Sequence, residues 1–392
     1  MKNRNFLILW VRDALFAASA SLTSTSVLSG VLLHIGLTEE KISFYLAAVP
    51  LVNLVVSLLF SSVASKTEKI IGTYSFLCLC SGVLTALYVL IFGLIKGLSV
   101  LFVFLMILGC LVSGVTAVRN IFDYRLPCEV MDLDSYSSYV AGCGIVGGIS
   151  GLVAGAVLTV INKKLPLTVS ACIAFAVAGI CYCAAGLINK YLKPVKAEKT
   201  NQREAESRVG LKELFKSREF KLLLIPNFVR GVGMAVVPVV TLIAVNGGAI
   251  TEADGAQVTV FTYLATLLSC VGYAFLAKKI GVAKLCIIGA VLFCALIPSL
   301  VFSKTVFYVC YTVSYTGYYI VNNAVPNLVY KKIDRNLMSI FHTWRLALST
   351  VGTAVATAVI GGLIGIVSPL CIFLIGSVAT LFCAVSYAVT FR

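Results

Sequence analysis

Six ionisable side chains stand inside stretches that are otherwise apolar: Arg12 and Asp13, Arg119, Arg230, and His342 with Arg345. Four guanidinium groups thus face one carboxylate. A guanidinium stays charged at physiological pH and grips carboxylate or phosphate through a planar fork. Such a set suits an anion-selective binding site. The alternative is a gate in which Arg12 and Arg119 pair with acids such as Asp13, Asp123, Glu129 and Asp132. Arg12, Arg119, Asp123 and Asp132 are expected in that gate. Arg230 and Arg345 are the stronger binding candidates, because each has polar company on one helical face. Asn227, Arg230, Met234 and Thr241 share one such face, and His342, Arg345, Ser349 and Thr353 share the other. Asp13 is a candidate carrier of a coupled proton or sodium ion, since a buried carboxylate titrates with its surroundings. The alternative is a fixed salt bridge to Arg119 or Arg12. His342 is a candidate proton relay, or a hydrogen-bonded partner beside Arg345.

A second pattern is aromatic. Tyr308, Tyr311, Tyr315, Tyr318, Tyr319 and Asn322 fall within roughly a 100° sector of one helix. Tyrosine in hydrocarbon needs a partner for its hydroxyl, so the stripe should face protein or a wet cavity. Tyr311, Tyr315, Tyr318 and Asn322 join Asn227, Arg230 and Arg345 as expected substrate contacts. Aromatic faces with hydroxyls suit sugars, nucleosides or other flat amphipathic solutes. The competing assignment is interhelical packing.

The elements that must hold these residues are membrane helices. The chain of 392 residues is 60% apolar with a mean hydropathy of +1.01. Crossing a hydrocarbon core takes about 20 apolar residues. Twelve stretches qualify, near 6–34, 41–65, 70–95, 98–122, 137–161, 167–189, 222–249, 256–277, 282–303, 305–330, 337–365 and 368–391. They are called spans 1 to 12 below. The expected fold class is an all-α polytopic membrane protein. One charged segment, 190–221, divides the chain into two six-helix bundles, 1–189 and 222–392, and includes a candidate amphipathic helix near Leu211–Phe220. The in-span charges lie within about nine residues of one end of their helices, on the order of 15 Å at helical rise.

Basic residues set the orientation. With the N-terminus in the cytoplasm, 22 of the 31 Lys and Arg fall on the cytoplasmic side, ten of them in 190–221. The outer loops hold only Lys41, Lys96, Lys163, Lys164 and Lys304. This is the positive-inside pattern, and it places both termini in the cytoplasm of a cell whose plasma (inner) membrane the chain crosses many times. The +15 net charge is therefore topological and implies no nucleic-acid partner. The first span carries Arg12 and Asp13 and lacks a small-residue cleavage pattern, unlike a signal peptide. The fourteen cysteines lie mostly inside spans and read as small apolar fillers; no metal and no cofactor is expected.

The bundles repeat one another. Arg4-Asn5-Phe6 entering span 1 matches Arg218-Glu219-Phe220 entering span 7. Leu126-Pro127-Cys128-Glu129-Val130-Met131-Asp132 after span 4 matches Leu328-Val329-Tyr330-Lys331-Lys332-Ile333-Asp334 after span 10. Parallel six-helix repeats are the build of alternating-access carriers. On these grounds the chain resembles the major facilitator superfamily over essentially its whole length. His34-Ile35-Gly36-Leu37-Thr38-Glu39-Glu40-Lys41-Ile42 is similar to that family's link from helix 1 to helix 2. The family's Gly-x-Leu-Ala-Asp-Arg-x-Gly-Arg motif is degenerate here. Ser61-Ser62-Val63-Ala64-Ser65-Lys66-Thr67-Glu68-Lys69 lacks the Asp and both glycines, while Ala274-Phe275-Leu276-Ala277-Lys278-Lys279-Ile280-Gly281 keeps one glycine. Pro127 to Tyr136 faintly resembles the glycoside–pentoside–hexuronide:cation symporters. The resemblance implies two bundles related by pseudo-two-fold symmetry, with helices 1, 4, 7 and 10 lining a central path.

The expected function is secondary active transport of a small solute, a sugar or organic anion, coupled to protons or sodium, by a monomer in the lipid bilayer. Export of drugs or amphiphiles is the alternative within transport. A membrane sensor and a lipid-modifying enzyme are the alternatives outside it. An enzyme would need a catalytic constellation, yet only His34 and His342 exist, at different depths. No Gly-x-x-x-x-Gly-Lys-Ser/Thr is present for nucleotide hydrolysis.

Overall fold

In the computed structural model the described residues are 2–67, 69–95, 97–130, 133–194, 218–300, 303–330, 335–364 and 366–390. The 195–217 stretch, Asp132 and residues 331–334 lie outside them. All regular structure described is helical, apart from one isolated bridge between Ile364 and Val367. Ten helices among the described residues are long and apolar enough to cross a membrane. The other two spans are the shorter apolar run Val282–Pro298 and the helix Lys304–Tyr330. The latter is long enough, but its tyrosines and amides lower its hydropathy. The chain is a multi-pass integral membrane protein of twelve spans.

Two spans are interrupted. Span 1 is built from helices Lys2–Leu22 and Thr25–Ile35. Its serines and threonines offer the backbone local alternatives to the helix ladder. The Thr23 hydroxyl donates back to the Ser19 carbonyl at 2.8 Å, and the Ser24 side chain caps the second helix by accepting from the Val27 amide. Gly36, at φ 98°, ends that helix in the left-handed conformation natural to glycine. Span 7 is built from Arg218–Met234 and Val236–Asn246. The interruption falls where Pro238, which has no amide hydrogen, would leave the Met234 carbonyl unpaired. With Arg4 set against Arg218, Ser24 stands against Pro238. Both halves therefore interrupt their first helix at a similar depth, the second at Ala235, three residues before Pro238.

Other boundaries differ from the hydropathy pattern. Span 4 runs as Leu98–Val130 and span 5 as Leu133–Lys164, so most of the 123–136 segment left between the expected spans is helix. Span 9 tightens from an α-helix, Val282–Phe293, into a 3-10 stretch, Cys294–Leu300, which contains Pro298.

The contacts divide the chain into two compact units. The first holds Met1–Ala197 with Thr251–Tyr263, and the second holds Glu198–Ile250 with Leu264–Arg392. The start of span 8, whose helix is Gly255–Ile280, thus groups with the first unit. Within the first unit span 1 packs on spans 5 and 6, and within the second span 7 packs on spans 11 and 12. The repeat noted in sequence is therefore a repeat of packing. Span 5 shows how composition decides which side packs. Ile145, Ile149, Val153, Val157 and Val160 are exposed along one face, as lipid-facing residues are. Gly151 and Gly155 on the other face meet Tyr263, Ser21 and Val260. Small residues permit that close approach.

Candidate functional site

The charged cluster of the first unit centres on Arg12, which is 1% exposed. Its Nε and Nη2 donate to Asp13 Oδ1 at 2.8 and 2.7 Å, and Nη2 lies 3.2 Å from Asp123 Oδ1. The Tyr74 hydroxyl donates to the same Asp123 oxygen at 2.8 Å. Arg119, also buried, stacks on aromatic faces, its guanidinium 4.9 Å from the ring centroids of both Phe16 and Tyr182. A ring's negative face attracts a cation, and in a desolvated setting this is a substantial interaction. Arg12 lies over Phe16 from another side, at 5.7 Å. Both arginines thus lie against the Phe16 ring, and both aspartates lie beside Arg12. Of the two arginines expected as a salt-bridge partner for Asp13, Arg12 is the one that pairs with it here. Asn5 ties the entrance of this unit together, donating to the carbonyls of Val130 and Lys193 at 2.8 Å each.

The polar cluster of the second unit has a different composition. Asn227, Arg230 and Arg345 are all buried, at 0, 7 and 6% exposure. Arg230 donates through Nη2 to Asn322 Oδ1, joining spans 7 and 10. The Tyr387 hydroxyl of span 12 donates to Asn227 Oδ1. Arg345, on span 11, is buried in the same unit. The polar faces of spans 7 and 11 meet: Ser349 Oγ donates to Met234 Sδ at 3.5 Å and Thr353 Oγ1 to the Gly231 carbonyl at 3.0 Å. That approach requires glycine. A Cβ on Gly231 would stand 2.1 Å from the Ser349 carbonyl oxygen. Arg230 Nη1 and Asn227 Nδ2 are buried donors without a hydrogen-bond partner among the described residues. The side chain of His342 and all of Asp132 lie outside the described residues.

The tyrosine stripe of span 10 packs inside the second unit. Tyr311 and Tyr315 are 1 and 2% exposed, with ring centroids 4.0 Å apart. Tyr318 continues the stack at 5.9 Å from Tyr315 and reaches Phe293 of span 9 at 6.3 Å. The Tyr315 hydroxyl donates to the Val237 carbonyl at 3.1 Å, just beyond the interruption of span 7. It supplies polar company to irregular backbone at a depth where water is scarce. Tyr315→Phe should lower stability by about 1 kcal/mol, the net worth of one such bond. Thermal unfolding of the purified variant measures it; an unchanged transition would show that the hydroxyl does not brace the interruption.

At the opposite end of the first unit, span 1 meets the start of span 8. The Ser24 and Thr259 hydroxyls are 2.6 Å apart, and His34 Nδ1 is 3.2 Å from Glu252 Oε2. The backbones touch: a Cβ on Gly30 would stand 2.2 Å from the Glu252 carbonyl oxygen, and one on Gly255 would stand 2.3 Å from that of Ser26.

Sequence reasoning selected Arg12, Asp13, Arg119, Asp123, Asn227, Arg230, Asn322 and Arg345. The structure brings the first four together in one unit and the last four into the polar core of the other. It did not select Phe16, Tyr74, Tyr182 or Tyr387. Each is one of two or more aromatics on its helix, and only tertiary packing shows what it touches.

No protein-family model matches the sequence, and no curated protein is similar to it in sequence. Solved structures match in fold. The nucleoside transporter NupG superposes at a TM-score of 0.71 with 13% identity, covering 99% of each chain. The POT family transporter PepTSo gives 0.74 with 11% identity, over 99% of this chain and 97% of that one. The xylose transporter XylE from E. coli, in a partially occluded inward-open conformation, gives 0.70 with 12% identity over 97 and 95%. Twelve spans, repeated packing within two units and these superpositions over nearly every residue establish one architecture: the chain has the major facilitator fold.

Proposed function

We propose that this protein is a secondary carrier that moves a small solute by alternating access, the mode of membrane proteins built from two six-helix repeats. The observation that carries this is the polar core of the second unit. Asn227, Arg230, Asn322 and Arg345 come from three spans, are buried or half-buried, and lie below an interrupted helix. Buried polar groups in a membrane protein mark a solute or ion path, and interrupted helices at matching places of two repeats point to the binding region. The substrate is a sugar or an organic anion, and Tyr318 and Asn322 supply flat and polar contacts for it. In the first unit Arg12, Asp13, Arg119 and Asp123 form the gate cluster, and Asp13 is the group through which protons or sodium couple. The basic loops place both termini in the cytoplasm.

The test is flux. Purified protein in proteoliposomes should accumulate at least one member of a panel of sugars, nucleosides and organic acids against its gradient when a proton or sodium gradient is imposed. Failure to move any solute under either gradient, or in exchange, would refute a carrier.

One observation favours a second reading, transport of amphiphiles. An apolar groove of about 710 Å³ lies among spans 2, 3 and 4, lined by Val52, Val56, Phe60, Met106, Leu111 and Val115. Movement of lipophilic dyes, with polar solutes ignored, would select that reading.

A further inference from the structure

One surface of the first unit has a hollow that its own side chains do not fill. Spans 2, 3 and 4 run as Glu39–Lys66, Ile70–Leu94 and Leu98–Val130, and the apolar groove of about 710 Å³ lies among them. Val52, Val56 and Phe60 recur every four residues along span 2 and form one wall. Ile107, Leu111, Gly114 and Val118 keep the three-and-four spacing of one helical face and form the wall on span 4. The walls are tied to each other. Ser113 Oγ donates to the Val49 carbonyl at 2.7 Å, and Asn53 Nδ2 donates to the Ser113 carbonyl at 3.4 Å. The same two spans touch at Gly109, where a Cβ would stand 2.6 Å from the Tyr45 ring. Beside Gly114 the opposite holds: a Cβ there would meet only Val56 Cγ2, at 3.7 Å. The groove is a formed opening between helices that are packed elsewhere.

We propose that this groove holds one anionic phospholipid, which lays an acyl chain along it and sets its phosphate at the turn between spans 2 and 3. An apolar hollow offers water no partners, so its occupant is apolar. Phe60, Ile107 and Leu111 are exposed, at a depth where the surrounding medium is hydrocarbon. From Ile107 to Val118 is about 17 Å at helical rise, close to the roughly 15 Å of one leaflet's hydrocarbon. An acyl chain matches that reach, and beside Gly114 it restores the dispersion contacts that an unfilled groove forfeits. One end of the groove is charged. Phe60 stands six residues before Lys66, and Leu77, which adds span 3 to the lining, stands eight after Lys69. That turn carries Lys66, Glu68 and Lys69, and span 4 brings Arg125 to the same end, three bases against one acid. Lys69 is exposed, whereas the side chains of Lys66 and Arg125 and all of Glu68 lie outside the described residues. Asp123, the next acid on span 4, is already engaged by Arg12 and Tyr74. Basic residues at the end of a membrane helix attract anionic headgroups, so tail and headgroup are both provided for.

Lipid retention tests the site without a transport assay. Delipidated protein in mixed micelles containing equal phosphatidylglycerol and phosphatidylcholine should retain one phosphatidylglycerol per chain in native mass spectrometry. Gly114→Leu fills the groove where the backbone leaves room, and should weaken retention ~10-fold or more. The unfolding temperature of that lipid-free variant should equal or exceed the wild-type value. Leu111→Trp, on the exposed rim, should weaken retention likewise, so poor folding of one variant leaves the other to decide. Lys69→Gln should reduce the preference for phosphatidylglycerol over phosphatidylcholine. Retention that survives both groove variants, equal retention of the two lipids by the wild type, or no retained lipid overturns the proposal. So does a dimer that the groove variants dissociate, because the face would then belong to a second copy. Movement of lipophilic dyes blocked by the same variants also overturns it, because the groove would then be a solute path and not a lipid site. The carrier reading stands or falls separately, on flux.

Discussion

Replacing Arg12 by Gln should destabilise the protein by about 3–5 kcal/mol, the loss expected when one partner of a buried ion pair is removed. Arg12 is 1% exposed, and its guanidinium serves Asp13 and Asp123 at once. Without it, Asp13 stands at 16% exposure with its nearest cation gone. Arg119 packs instead against Phe16 and Tyr182, 4.9 Å from each ring centroid. The double variant Arg12→Gln with Asp13→Asn removes both charges and should recover much of the loss. The difference between the single and double variants is the coupling energy of the pair. Thermal unfolding in detergent gives all three values. A single variant as stable as the wild type would mean that Arg12 is solvated and that the cluster does not hold spans 1 and 4 together.

Much of this arrangement was legible in sequence. In-span charge is rare enough that composition alone singled out Arg12, Asp13, Arg119, Arg230 and Arg345. Helical periodicity placed Asn227 beside Arg230 and Ser349 beside Arg345, and those faces do meet across spans 7 and 11. What sequence could not supply was partnership. Adjacent residues on a helix point roughly 100° apart, so nothing local says that Arg12 folds back onto Asp13. Phe16 and Tyr182 sit far apart in the chain, and only packing brings their rings together beside Arg119. Hydropathy located twelve spans but carries no record of backbone hydrogen bonding. The interruption of span 1 at Thr23 and Ser24 was therefore hidden in a continuous apolar pattern. In span 7 the cause is plainer, because Pro238 removes a donor outright, whereas serine only competes for one.

The same interruption leads to the contact most exposed to a functional test. The outer helix of span 1, Thr25–Ile35, lies against the start of span 8 with no side chain between the backbones at Gly30 and Gly255. A carrier that alternates must make and break its contacts at one end in each cycle, and this one is sensitive to a single atom. Gly30→Leu places a Cβ 2.2 Å from the Glu252 carbonyl oxygen, closer than any carbon can approach. Relieving that overlap separates the segments and disfavours the arrangement described here. Each 1.4 kcal/mol of bias shifts a two-state population about tenfold, so flux should fall by at least ~10-fold. Binding measured by ligand-induced thermal shift should persist, since the polar core of spans 7, 10 and 12 is untouched. Glu252→Gln provides the contrast. Its pair with His34 is about half exposed, and such pairs contribute roughly 0–1 kcal/mol, so flux should change little. Wild-type flux in Gly30→Leu would show that this contact is not remade during transport, and that the backbone approach at Gly30 serves only to pack the first unit.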